Sequence, residues 1–265
     1  MTISVIITTY NRGGHLRRCL PSLLGQKVNA DEIIIVDDGS EDYTKSVVEQ
    51  IQKDFPKQDI KYIYNNNIGY TNCCLAKNIG LRQAKGDILV FTEPEILHAT
   101  ETLQQHLAWQ EKGEKTYISA GTVYFVFGLA VRKLTLEEMK KPKLITEKKS
   151  VKEWIAGYKP EEMDIAVSRH VTASYCASVR RKRLMEVGGW DERFIRFWGW
   201  DDIDLQSRLG RNGMRTISDP TIEMVHLAHG YTGCFEVWHY NKKMHDDPNK
   251  PIVANQGKEW GVIRE

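Results

Sequence analysis

Several things are scarce in this sequence, and each scarcity removes a class of function. Lysine and arginine number 37 against 35 aspartate and glutamate, leaving a net charge of +2 over 265 residues. No strongly basic field of the kind a nucleic-acid partner requires is present. No apolar run approaches the ~20 residues that span a bilayer. The opening "MTISVIITTYNR" also lacks the basic n-region and cleavage site of an export signal. Those two absences read as a soluble, cytosolic chain. The five cysteines (Cys19, Cys73, Cys74, Cys176 and Cys234) are odd in number, scattered and free of any C-x-x-C pair. Reduced, mostly buried thiols follow, and a cysteine zinc centre does not. There is no G-x-G-x-x-G after the first strand and no G-x-x-x-x-G-K-[ST] anywhere, so dinucleotide and P-loop chemistry lose their main support. Neither an internal repeat nor a low-complexity linker interrupts the chain, which is long enough for one large α/β domain or a compact pair, with a substantial core.

What is present alternates. "ISVIITTY" reads as a buried strand, followed by an amphipathic helix from about residue 14 to 26 with Leu16, Cys19, Leu20, Leu23 and Leu24 on its apolar stripe. "EIIIVDDGS" is a second buried strand ending in a turn, and Ser40 is placed to cap the helix after it. "IKYIYN", "TNCCLAKNIGLRQA" and "GDILVF" continue as strand, helix and strand. Such alternation predicts a parallel sheet flanked by helices, whose ligands lie at the carboxyl ends of the strands. Three strands deliver polar groups there: Thr8-Thr9-Tyr10-Asn11, Asp37-Asp38-Gly39-Ser40 and Glu93-Pro94-Glu95. Any one is explained by a strand-terminating turn; three on one edge point to a site. Beyond residue 112 the pattern loosens. Residues 132–159 are lysine-rich and read as a solvated excursion with two short helices, an anionic acceptor or membrane surface being the lesser reading. "VTASYCASVRR" returns to strand, and "RKRLMEVGGW" to a short helix closed by Gly188-Gly189.

"SVIITTYNR", "EIIIVDDGS", "NIGYTNCCLAKNIGLRQAKGDILVF" and "VGGWDERF…WGWDDIDLQSRLGRNG" occur in that order across residues 2–230. Together they resemble the inverting nucleotide-sugar glycosyltransferases of family 2. The "WGWDDIDL" end is similar to the galactosyltransferase-type module of chondroitin-polymerase-like and β-1,4-galactosyltransferase enzymes. The resemblance implies an α/β GT-A fold, with a Rossmann-like, mostly parallel central sheet flanked by helices and a smaller acceptor-binding part. It implies a nucleotide-sugar-binding half over 1–99, an acceptor-binding and catalytic half over 100–230, and a tail over 231–265 that acts as a lid.

The resemblance also implies roles. Thr8 and Tyr10 line the base pocket, and Asp38, with Asp37 beside it, accepts the uracil N3–H, as an acceptor-only carboxylate can. Asn67, Gly69, Lys77 and Asn78 approach the ribose and diphosphate, although Lys77 also reads as a solvated helix residue. Glu93-Pro94-Glu95 takes the place of the family's D-x-D motif, with Glu93 on the ribose and Glu95 on Mn²⁺ or Mg²⁺ bridging the phosphates. The departure from aspartate adds a methylene to each side chain. Asp202 aligns with the catalytic base and Asp201 with its acceptor-binding neighbour, although both also suit a helix N-terminus as plain dipole compensation. Trp198 and Trp200 meet the acceptor, and Trp190 is assigned to the core. His226 is the imidazole metal ligand, with His229 as its fallback. Asp204 and Arg208 read as a structural i, i+4 pair.

The expected activity is therefore inverting transfer from a UDP-sugar, UDP-Gal or UDP-GalNAc preferred, to a glycan hydroxyl. A lipid-linked acceptor would bring peripheral association with the inner membrane face. Two alternatives stay open: a metal-independent transferase, and a catalytically silent nucleotide-sugar- or glycan-binding protein.

Overall fold

Four apolar runs form the parallel block of the sheet in the computed structural model, which describes residues 1–67, 71–127, 164–169, 175–194, 199–229 and 235–264. They are β1 (Ile3–Thr9), β2 (Glu32–Asp37), β3 (Ile60–Tyr64) and β4 (Ile88–Thr92). Because side chains alternate along a strand, Val5, Ile7, Ile33 and Ile35 face one side and Ile6, Ile34 and Val36 the other. Both sides are covered, which is why β1, β2 and β4 are buried along nearly their whole length, while the edge strand β3 is only half-buried. Leu16, Leu20 and Leu23 of α1 (Gly13–Leu24) and Val47, Val48 and Ile51 of α2 (Thr44–Asp54) pack on the first side. α3 (Cys73–Gln83) covers the second, capped at its start by the Asn72 side chain, which accepts from Leu75 N at 2.9 Å. It lies so near the sheet that a Cβ on Gly80 would stand 2.4 Å from Ile6 Cγ2.

Parallel register brings the strand ends level. Thr9 pairs with Asp37, Asp37 with Tyr64, and Ile7 with Thr92. The remaining strands are β5 (Ile96–His98), β6 (Thr116–Phe127), β7 (Asp164–Arg169), β8 (Cys176–Arg180) and β9 (Arg215–Leu227). The sheet runs β3-β2-β1-β4-β8-β6-β9-β5, with β7 beside β6. β8 enters antiparallel to both β4 and β6, while β6 and β9 are parallel. α4 (Thr102–Lys112) lies on the first side. The short β5 matters most for the site. It pairs antiparallel with β9, setting Ile96 opposite His226, and Leu227 N donates to Glu95 O at 3.0 Å.

α5 (Arg181–Glu186) precedes the Gly188-Gly189 turn, where both residues have positive φ. α6 (Asp201–Arg211) anchors through Leu205 and Leu209 in the core. The fully buried Arg208 donates to Asp204 at 2.7 Å and to Val187 O at 2.8 Å, as the i, i+4 spacing predicts. Lys250 pairs with the other oxygen of Asp204. α7 (Phe235–His245) follows, and the chain after it returns to the first half, where Arg264 N donates to Asn65 Oδ1. Trp190 is wholly buried, as expected. The lysine-rich excursion at 132–159, Gly69, Trp198 and Cys234 lie outside the described residues.

Candidate functional site

The carboxyl edge gathers three groups of side chains. The first closes the turn after β2. Gly39 sits at φ 89°, a conformation that favours glycine, with the Asn67 side chain against it. Asp37 is fully buried and holds this turn: Ser40 N donates to one oxygen at 2.8 Å and Tyr62 Oη to the other at 2.6 Å. Asp37, expected beside the donor, thus anchors the turn. Asp38, next along, accepts from Asn65 at 2.7 Å and from Asn72 N at 2.6 Å. Burial lifts its pKa against the pull of those two donors. A carboxylate offers about four lone-pair positions, so Asp38 retains acceptor capacity. Asn67 donates to Asp38 O, while Tyr10 is exposed and Thr8 half-buried at the end of β1.

The second group is a carboxylate with two imidazoles. Glu95 Oε1 lies 3.1 Å from His229 Nε2 and 3.9 Å from His226 Nε2, and one ligand atom from each of the three falls within 4.8 Å of the others. Glu95 Oε2 is buried with no hydrogen-bond partner among the described residues. Burial alone would raise the pKa of Glu95, but the His229 hydrogen bond and the nearby His226 and Arg12 outweigh it and hold it low. Burial lowers that of His226, which keeps its ring neutral and its lone pair available. A carboxylate with an unpartnered oxygen beside two imidazoles is a donor set that fits a divalent cation, Mn²⁺ better than Mg²⁺. His226 and its expected fallback His229 are thus brought to Glu95 together.

The third group is Lys77 with the acids of α6. Its ammonium stands 3.2 Å from Asp201 Oδ2 and 3.1 Å from Asp202 Oδ1. Burial works against that charge, but Asp202 and Asp201 overcome it and raise the Lys77 pKa well above its ordinary value. Lys77 is thus not a solvated residue; it is a buried counter-ion that holds α3 to α6. Asn78, also expected beside the donor, is a buried strut: it donates to Trp190 O and Glu192 Oε1, both at 2.9 Å, and accepts from Trp190 N. Asp201 is the deeper of the two acids, with a side chain 9% exposed against 20% for Asp202. Asp202 also accepts from Trp190 Nε1 at 3.4 Å. Trp200, the residue before α6, has φ 68° and is stacked by His245 and edged by Trp238, so α7 covers much of this ring.

Glu93 joins the groups. Burial and then the Glu95 charge push its pKa well up, with Lys77, Asp202 and Asp201 also within electrostatic reach. Three neighbours escaped the sequence reading. Tyr175 lies against His226 (5.3 Å between ring centres), and burial followed by Glu93, Asp202 and Glu95 pushes its hydroxyl to about 12. Arg12 approaches His229 Nδ1 at 3.3 Å, and His15 donates to Ala228 O at 3.3 Å. The "YNR" turn after β1 was the available signal for Arg12; nothing local marks Tyr175.

A Rossmann-like sheet carrying acids on its carboxyl edge, joined by a mixed half with an acid-led helix, defines the GT-A architecture. The chain belongs to Glycosyl transferase family 2, whose profile matches residues 4–188. Among curated relatives it is 29% identical over 262 residues to the uncharacterized glycosyltransferase YfnE of Bacillus subtilis, covering 86% of this chain and 65% of that protein. It is 28% identical over 228 residues to chondroitin synthase of Pasteurella multocida, covering 80% of this chain and 23% of that protein. The chain thus spans less than two thirds of these relatives' length. Among solved structures it matches the mannosyltransferase PcManGT of Pyrobaculum calidifontis, in complex with GDP-Man and Mn²⁺. That match has a TM-score of 0.58 and 21% identity, over 92% of this chain and 61% of that one. It also matches GalNAc-T7 with UDP, GalNAc and Mn²⁺, at a TM-score of 0.63 and 16% identity, over 87% of this chain and 44% of that one. At these identities the structural likeness concerns the fold. No helix among the described residues is long and apolar enough to cross a membrane.

Proposed function

We propose that this protein is an inverting glycosyltransferase that moves a sugar from a UDP-sugar, UDP-Gal or UDP-GalNAc preferred, to a hydroxyl of a glycan acceptor. The observation that carries the reading is the approach of the Glu95–His226–His229 cluster and the Asp201–Asp202–Lys77 cluster to one another around Glu93. Glu95, His226 and His229 would hold a divalent cation, which would supply counter-charge for a departing nucleoside diphosphate. Asp38, buried with acceptor capacity left, suits an imide N–H of the base. Asp202, the more exposed acid, takes the proton of the acceptor hydroxyl as that oxygen bonds to the anomeric carbon. The bond from that carbon to the β-phosphate oxygen breaks on the opposite face, and the diphosphate carries away the electron pair. Lys77 anchors Asp202 in position. The Mn²⁺ and nucleotide in the two structural relatives support this reading, as does the relative named chondroitin synthase. A lipid-linked glycan at the inner membrane face is one acceptor to include in assays.

Calorimetric titration of UDP with and without Mn²⁺, followed by a screen of nucleotide-sugars for hydrolysis and transfer, tests the proposal. Metal-dependent UDP binding and turnover of a UDP-sugar with inverted product are expected. Metal-independent UDP binding without turnover would instead favour a silent binding protein, and turnover surviving excess EDTA a metal-independent transferase. Strong preference for a GDP-sugar would overturn the role given to Asp38.

A further inference from the structure

Arg12 and His229 define a contact that cation binding at Glu95 must break. A guanidinium only donates hydrogen bonds. Arg12 Nη2 stands 3.3 Å from His229 Nδ1, so that nitrogen is the acceptor and carries no proton. A neutral ring then bears its single N–H on Nε2, which faces Glu95 Oε1 at 3.1 Å, an acceptor. The arrangement is self-consistent as a chain of donors running from Arg12 through His229 to Glu95.

We infer that Arg12 is a metal-gated ligand for the donor's phosphates, an inference that rests on the cation site and nucleotide-sugar donor proposed above. For His229 Nε2 to ligate a cation beside Glu95, it must present its lone pair, and the ring proton then sits on Nδ1. There it meets Arg12 donor to donor, and the contact is lost. The guanidinium, whose other hydrogen bond among the described residues is a long 3.4 Å one to the neighbouring Asn11 O, turns away from the ring. It lies at the first turn of α1, on the same strand edge as Glu95, so an anionic group brought to the cation falls within its reach. A guanidinium matches phosphate oxygens in a bidentate way and adds a charge-assisted bond at the leaving group. Without cation, Arg12 holds His229 in the tautomer that cannot ligate. With cation, it becomes available for phosphate. Binding is thereby ordered, metal before nucleotide.

Three measurements on the full chain test this. In ¹⁵N-histidine spectra of the metal-free protein, His229 should show a bare Nδ1 and a protonated Nε2. Cd²⁺, a diamagnetic probe, should invert that pattern. Arg12→Met should tighten Mn²⁺ binding several-fold by electron paramagnetic titration, yet weaken UDP binding at saturating Mn²⁺ by ~10-fold or more. Arg12→Lys keeps the charge without the planar fork, and should recover only part of the UDP affinity. A His229 tautomer unchanged by Cd²⁺, or Arg12→Met affinities equal to wild type for both Mn²⁺ and UDP, would overturn the inference while leaving the proposed function standing. A wild-type protein that binds neither Mn²⁺ nor UDP would instead remove the proposed function and this inference with it.

Discussion

Acidification should unfold this protein through two imidazoles that the core has no means of charging. His98 and His106 are both fully buried. Thr92 Oγ1 spends its own proton on Tyr175 O at 2.9 Å, so at 3.1 Å from His98 Nε2 it accepts, and the ring proton of His98 lies on Nε2. His98 Nδ1 is then bare, buried and without a partner among the described residues. His106 bonds with Ser178 Oγ at 2.9 Å and Cys176 Sγ at 3.3 Å. Burial lowers His98 to about 3, with the neighbouring His106 adding to it, and lowers His106 to about 4. The unfolded chain takes up these protons near the ordinary value of 6.5, and the native state refuses them. The stability they contribute is therefore fully present above about 6.5 and drains away as pH falls toward the native values. At about pH 5 each neutral ring forfeits roughly RT ln(1 + 10^1.5), about 2 kcal/mol, and the pair about 4 kcal/mol. Because about pH 5 lies above both native values, this figure depends on the unfolded pKa alone. It is a large share of the roughly 5–15 kcal/mol that holds a typical domain together. Urea unfolding of wild type, His106→Gln and His98→Gln between about pH 7.5 and 5 is the assay. Each variant should lose about 2 kcal/mol less than wild type over that interval, whatever its stability at the upper end. A wild-type-minus-variant difference that does not change with pH would show that these rings are charged or solvated in the native state, and the reasoning would fail.

Other consequences are separable from that one. Asp202→Asn should lower transfer by several orders of magnitude while UDP affinity stays within about two-fold; lost UDP binding or retained turnover would count against its role as base. Glu95→Gln should weaken Mn²⁺ binding by ~10-fold or more by calorimetry, because it removes the one carboxylate of the cluster, and an unchanged affinity would exclude Glu95 as a ligand. Gly80→Ala drives a methyl into Ile6 and should cost about 1–3 kcal/mol in urea unfolding, with partial rescue by Ile6→Val. Arg208→Met leaves Asp204 with Lys250 as its remaining ion-pair partner. Because Lys250 still compensates Asp204, the cost in urea unfolding should fall below the about 3–5 kcal/mol of a buried charge left unpaired.

The sequence by itself determined the features that depend on neighbours along the chain. Continuous β-branched runs followed by helical periodicity could only form strands buried on both faces, and the polar residues closing those runs had to lie on one edge. Asp201, Asp202, Asp204 and Arg208 were legible for the same reason, since one helical turn fixes their relation. Distance along the chain marks where that reading gave out. The tie between Lys77 and Asp201 spans 124 residues, and no local pattern says that an amphipathic lysine will turn inward as a counter-ion. Asn78 was legible as a helix residue, but its burial under Trp190 came only when α5 and α3 met. Glu95 joined His226 because a three-residue strand chose β9 as its antiparallel partner in one register, and a one-residue slip would have turned His226 away. Tyr175, His15 and Arg12 reached the site through the same packing. Spacing along the chain could set the strands, helices and acidic motifs, whereas the ring of side chains around Glu95 required long-range pairings whose energy exists only in the folded state.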